Sequence, residues 1–263
     1  MSNATASNLH QRWAGLKAPL RPNAEVVCAL RAATEHRDAR VLLLGVTPEL
    51  ACIGKTTVAV DMSEAMIAAA WPGDTDSRRA VHGNWLQMPL RQREFTAVIG
   101  DGSFAFLPLT AYARLFEQLR PLMLPGARLA MRFYETPEGC ETIAELCAAV
   151  LAGNGAGFHA FKWRLAMAIA AETQNASIPV VLIHRVFERE FVDRAALSAA
   201  SGWSVEQIAE IDNYARQDTV FSFPTRREML TELKDNVSTP LFVVSGSYEL
   251  AERCPILLAE FSA

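Results

Sequence analysis

The chain has 263 residues, 51% of them hydrophobic and 21% charged, with a formal net charge of -4. This length and apolar share suit one large α/β domain or two small ones with a true core. Mild acidity and the lack of any long basic run leave no electrostatic footprint for sequence-independent nucleic-acid binding.

The five cysteines, Cys28, Cys52, Cys140, Cys147 and Cys254, form no C-x-x-C pair and have no paired histidines at metal spacing, so neither zinc nor a disulfide framework is suggested. No run reaches the roughly 18 apolar residues of a membrane span, and the start lacks a signal-peptide pattern, so no membrane partner and a cytoplasmic location are expected. The polar opening MSNATASN is left outside the fold.

Residues 22 to 37 read as a helix with Val26, Val27 and Leu30 on one face, forming with the preceding residues an N-terminal helical segment, 1–38. From 39 to about 134, short apolar runs alternate with amphipathic segments, the pattern of a parallel sheet covered by helices. The runs are Val41 to Leu44, Thr57 to Val60, a weak Arg79 to His82, Phe95 to Ile99, and Arg128 to Phe133. Continuous apolarity in the first, second and fourth predicts strands buried on both faces. Ser63 can cap a short helix carrying Met66 and Ile67, and Tyr112, Leu115, Phe116, Leu119 and Leu122 recur at helical spacing before Pro125-Gly126.

After Tyr134 the period changes, and 136–223 reads as a helical insertion, with a stripe Ile143, Leu146, Cys147, Val150, Leu151 and a capping box at Ser204 to Gln207. A second capping box, Thr225 to Glu228, precedes strand-like Leu241 to Val244 and Ile256 to Leu258. The segments 39–135 and 224–263 therefore form one α/β unit. Its expected form is a mixed seven-stranded α/β sheet with helices on both faces and the insertion after the fifth strand.

Gly45 stands where a buried strand ends and a helix is expected to begin, a turn that lets a ligand approach backbone closely. Thr47 suits an N-cap and Pro48 a first helical residue, so free amides would face the crevice at the sheet's carboxyl end. Asp61 stands at the tip of the next strand, where a carboxylate can accept both hydroxyl protons of a ribose. The alternative is that Asp61 caps the following helix, but Ser63 already suits that role. The short interval from Gly45 to Asp61 requires the first crossover helix to be clipped by roughly a turn. Gly54-Lys55-Thr56 has the look of a phosphate-loop ending, yet Glu49 stands where the leading glycine belongs and a strand follows, so a plain turn is expected.

With these motifs in this order, the chain resembles the class I methyltransferases that use S-adenosylmethionine, well over 40–134 and loosely over the last forty residues. The correspondence runs through Gly45, Asp61, Gly83 to Leu90, Ile99 to Ser103, and Leu124 to Leu129. The resemblance implies a Rossmann-like fold and S-adenosyl-L-methionine as cofactor. It implies that Asn84 bonds the adenine amino group, that Trp85 and Met62 flank the ring, and that Asp101, Gly102 and Ser103 line the pocket near the methionine portion and the substrate entrance. Packing for Trp85 and a turn role for Asp101 are the alternative readings.

The family's G-x-G-x-G turn is replaced here by Gly45-Val46-Thr47-Pro48-Glu49, so contact with the methionine moiety must be reorganised. Glu49 or another acid could face the ligand's ammonium. Arg21, its backbone fixed between Pro19 and Pro22, is the candidate for the carboxylate, with surface solvation as the alternative.

Methyl transfer from a sulfonium is an in-line displacement that requires positioning and no triad. The expected function is methyl transfer to a small-molecule acceptor held under the insertion, and a homodimer is compatible with the sequence. His159, Trp163, His184 and Tyr214 are the insertion's polar aromatic residues, but none is assigned as a catalytic base. The rival readings are a methyltransferase-like binding scaffold without catalysis and an NAD- or nucleotide-binding Rossmann enzyme.

Overall fold

The computed structural model describes residues 13–34, 38–91 and 93–262. The polar opening and the last residues of the expected first helix, 35–37, lie outside the described residues. Strands β1 (Arg40–Leu44), β2 (Thr56–Asp61), β3 (Arg78–His82), β4 (Phe95–Asp101) and β5 (Met123–Arg132) run parallel. With β8 (Val237–Val243) and β9 (Ile256–Phe261) they form a mixed seven-stranded sheet in the order β3-β2-β1-β4-β5-β9-β8. Strand β9 is antiparallel to both of its neighbours.

The central position of β1 follows from its sequence, since a strand covered on both faces must be apolar at every position. Val41 and Leu43 face one layer with Val26 and Leu30 of helix α1 (Ala24–Thr34). Leu42 and Leu44 face the other with Tyr112, Leu115 and Phe116 of α3 (Tyr112–Leu119). This alternation is the two-residue period of a strand. Between the layers, α2 (Glu64–Ala70) connects β2 to β3, and the Ser63 hydroxyl accepts from the Met66 amide at 3.1 Å as its cap.

The connection from β1 to β2 departs from expectation. A clipped helix was expected after Gly45; the chain makes only the 3-10 turn Pro48–Leu50, whose preceding Thr47 is buried and does not cap through its side chain. Too few residues separate the strands for a full crossover helix. Leu50, Ala51 and Ile53 fill that layer instead. Gly54 belongs to a turn ahead of β2, where a Cβ would lie 2.6 Å from Val41 Cγ2 and 2.7 Å from the Ala39 carbonyl.

Between β5 and β8 stand α4 (Ile143–Leu151), α5 (Phe158–Thr173), α6 (Val180–Glu190), α7 (Arg194–Ser201), α8 (Val205–Ala209) and α9 (Arg226–Leu233). Capping boxes form at Ser204 and Thr225, and a third, at Thr142, opens α4. Two short strands, β6 (Ser177–Pro179) and β7 (Val220–Ser222), pair antiparallel in this region. Runs this brief carry no periodicity to betray them. The helices bury an aromatic cluster of their own, including Phe158, Phe161, Phe187, Phe191 and Trp203. Tyr134 and Cys254, next to the ends of β5 and β9, belong to the same cluster, so the insertion is packed onto the sheet. Among the described residues no helix is long and apolar enough to cross a membrane.

Candidate functional site

The carboxyl ends of β1 and β2 meet at Gly45, whose φ of 96° is a conformation that favours glycine. Its amide donates to the Val60 carbonyl at 2.9 Å. The next amide, Val46, donates to Asp61 Oδ2 at 3.3 Å, and the Ser63 amide donates to Oδ1 at 2.8 Å. Each carboxylate oxygen keeps a lone pair for a further donor. Burial raises the Asp61 pKa above the ordinary aspartate value, opposed by the Ser63 and Val46 amides and by nearby His82. A half-buried carboxylate of this kind gains from incoming hydroxyl donors. Ser63 caps α2, which leaves Asp61 for the crevice.

Trp85 closes one side of this turn. Its indole nitrogen donates to the Val60 carbonyl at 2.6 Å, and its ring would lie 3.9 Å from a Cβ placed on Gly45. Gly45, Asp61 and Trp85 thus form one cluster. Met62 is half-buried beside it, with its carbonyl 3.0 Å from His82 Nε2. The Asn84 side-chain oxygen accepts the Leu86 amide at 2.9 Å in a local turn, which fixes the side chain and leaves the oxygen a second lone pair for an adenine amino group.

The residues ending β4 point to a structural role that the sequence did not suggest. The β4–β5 register places Asp101 beside Arg132. The two make a two-point ion pair through Nε and Nη2, with side chains only 2% and 0% exposed. Burial alone would lower the pKa of Arg132, but the Asp101 carboxylate outweighs it and holds the cation well above its usual value. Asp101 is therefore turned into the protein instead of lining an open pocket. Ser103 is likewise buried, its hydroxyl donating to the Leu44 carbonyl at 2.8 Å and tying β4 to β1. Gly102 packs where a Cβ would meet the Tyr134 hydroxyl at 3.0 Å.

A lone arginine inside the run Met131-Arg132-Phe133 is itself a sequence signal of a buried partner. A charge in a strand buried on both faces needs a partner. Its Nη1 also donates to the Tyr248 hydroxyl at 2.9 Å, and that hydroxyl lies 2.5 Å from Ser245 Oγ.

The N-terminal segment lies across the same end of the sheet. The Tyr134 hydroxyl donates to the Pro19 carbonyl at 3.1 Å, and Glu25 accepts from the amide and hydroxyl of Ser247 at 2.6 and 2.9 Å. Arg21 Nε donates to Glu49 Oε1, its Nη1 donates to the Trp13 carbonyl at 3.0 Å, and its guanidinium lies 5.6 Å from the Trp13 ring centroid. The two residues suggested for the ends of an amino acid are thus brought together. They line a cleft of about 510 Å³ with Leu16, Lys17, Pro22 and Tyr248. Glu49 Oε2 is buried in its wall with no hydrogen-bond partner among the described residues. A buried acceptor left in that state favours a ligand donor.

The polar aromatic residues of the insertion are engaged within it. His159 Nδ1 lies 3.7 Å and Lys162 Nζ 3.6 Å from Glu210 Oε2, and Lys162 lies 5.4 Å from the Tyr214 ring centroid. His184 meets Asp212 at 3.3 Å within an ion-pair group that includes Arg194 and Glu188. Trp163 reaches the sheet end, packing edge-on to Tyr134 at 5.1 Å.

No protein-family model matches the sequence, and no curated protein matches it. Solved structures do. A methyltransferase dependent on S-adenosylmethionine from Mesorhizobium loti is 16% identical, with a TM-score of 0.51, covering 91% of this chain and 98% of that one. The 1,6-didemethyltoxoflavin-N1-methyltransferase of Burkholderia thailandensis, which holds 1,6-didemethyltoxoflavin and S-adenosylhomocysteine, is 12% identical, with a TM-score of 0.51 and coverage of 99% and 88%. This is the class I methyltransferase fold. A Rhodobacter sphaeroides protein described as a Zn-dependent alcohol dehydrogenase shares it at 12% identity, with a TM-score of 0.58 and full coverage of both chains. At such identities the likeness concerns the fold, and chemistry must be argued from the site.

Proposed function

We propose that this protein binds S-adenosylmethionine across the ends of β1 and β2 and transfers its methyl group to a small-molecule acceptor. The observation that carries the reading is Asp61, fixed by two backbone amides at a strand tip beside the Gly45 turn, with acceptor capacity left for a ribose. Trp85 and Met62 would flank the adenine, and Asn84 would accept from its amino group. The turn Gly45, Val46, Thr47 would carry the ligand toward the cleft. There the orphaned Glu49 Oε2 fits an ammonium and Arg21 fits a carboxylate, so the residues present suit the amino-acid end of the cofactor.

When bound, the cofactor supplies an electrophilic methyl group on a sulfonium. The protein's part is orientation and exclusion of water. A dinucleotide reading fits less well, because the antiparallel β9 stands where that fold has another parallel strand.

Calorimetry with S-adenosylhomocysteine tests the proposal. Wild type should bind, and Asp61→Ala should lose roughly 10- to 100-fold in affinity, the worth of hydrogen bonds to a charged group. A folded wild type without affinity for either cofactor form would sink it. A scaffold that binds without turnover is the second reading, favoured by the inward Asp101–Arg132 pair and the missing later glycines. Methylated product from any acceptor removes it.

A further inference from the structure

The cleft at the N-terminal segment continues from the proposed cofactor crevice, since Glu49 follows closely on Gly45; beyond Glu49 and Arg21, given above to the cofactor's amino-acid end, its wall offers Leu16, Lys17, Pro22 and Tyr248 to an acceptor. Its ionisable groups are nearly all committed. The Glu49 carboxylate is paired with Arg21 through Oε1, its Oε2 is the acceptor given above to the cofactor's ammonium, and Glu25, two residues beyond the lining Asn23, is held by Ser247, whose hydrogen bonds lower its pKa. The Tyr248 phenol is pushed up to about 12 by burial, opposed by Arg132, and its hydroxyl is tied to Arg132 and Ser245. Asp101 is closed off by Arg132. Among the described residues no histidine lines the cleft. A general base must be free to reach the proton it removes, and each of these groups is held by another partner. Lys17 is exposed at the cleft and has no ion pair among the described residues, while Leu16 and Pro22 supply apolar wall.

Resting on the methyl-transfer reading above, we infer that the acceptor is a small, largely apolar carboxylic acid, methylated on a carboxylate oxygen to give a methyl ester. An ammonium or alcohol would have to surrender a proton at this site. A carboxylate arrives already ionised at neutral pH. Its oxygen lone pair forms the new O–C bond, the C–S bond breaks, and that electron pair returns to sulfur. A negative carboxylate and a positive sulfonium become a neutral ester and a neutral thioether, and no proton moves. Lys17 attracts the acid, and Leu16 and Pro22 receive its apolar body.

The test uses the full chain, S-adenosylmethionine, and a panel of phenylacetate, 3-phenylpropanoate and octanoate set against 3-phenylpropanol and 3-phenylpropylamine, read by mass spectrometry. Methyl esters should form from the acids alone. The rate should be flat from about pH 6 to about pH 9, whereas an amine acceptor would rise about tenfold per pH unit. Lys17→Glu should raise KM for the acids by about tenfold, with a several-fold smaller change in S-adenosylhomocysteine affinity. Cofactor binding accompanied by methylation of the amine or alcohol, by no ester from any acid, or by an unaffected Lys17→Glu variant overturns the inference and leaves the methyl-transfer reading standing. Failure of wild type to bind S-adenosylhomocysteine removes both.

Discussion

Removing the Asp101 carboxylate should damage the fold far more than a strand-tip residue of an open pocket would. Arg132 is 0% exposed and Asp101 2%, so Asp101→Ala strands a guanidinium whose Tyr248 contact supplies no countercharge. Breaking a buried pair from one side costs about 3–5 kcal/mol, a large share of the roughly 5–15 kcal/mol that stabilises a native domain. At about 2–4 °C per kcal/mol for a chain near this size, Tm should fall by roughly 6–20 °C. Urea denaturation followed by circular dichroism should show the same loss at constant m. The double variant Asp101→Leu with Arg132→Met removes both charges and should recover most of it, staying within about 2 kcal/mol of wild type. Its S-adenosylhomocysteine affinity should stay within about threefold of wild type. Single variants within about 1 kcal/mol of wild type, or a double variant as poor as the sum of the singles, would refute the buried pair.

Asp61→Asn should lower cofactor affinity at close to wild-type stability, because relief of the buried charge offsets the loss of one of its two amide bonds, the side-chain NH2 being unable to accept. Burial raises the Asp61 pKa in the folded state, so the stability linked to it is full below the unfolded pKa and is lost as pH rises through the folded one. Denaturation of the variant at neutral pH should show a change within about 1 kcal/mol of wild type; a loss above 2 kcal/mol would contradict this account of the site. Glu141 acts in the opposite sense. Burial pushes its pKa up, but hydrogen bonds from Arg253 at 2.6 Å and Arg164 at 2.7 Å hold it at about 2. Its contribution is present above the ordinary glutamate pKa and disappears as pH falls toward 2, so acid titration should show Glu141→Gln losing roughly 2–3 kcal/mol at neutral pH and nothing near pH 2. Gly54→Ala should cost about 1–3 kcal/mol by thermal denaturation, because its Cβ would meet the fixed Ala39 carbonyl at 2.7 Å. A neutral result would mean that this turn yields easily.

The sequence by itself determined the layers and the ribose-facing acid. Runs such as Val41 to Leu44 cannot be exposed on either face, so they name the central strands, and Ser63 as a better cap frees Asp61 for the crevice. Those signals are local, carried by neighbours along the chain. What only the tertiary structure decided depends on register and on segments distant in sequence. Asp101 and Arg132 become partners because β4 and β5 lie side by side. Asn84 turns onto its own loop, and Arg21 meets Glu49 because the N-terminal segment is laid across the ends of the strands. A charge reads the same in sequence whether it faces a ligand or another residue. Packing supplies the partner, and the partner decides whether a polar group at a strand tip serves the ligand or the fold.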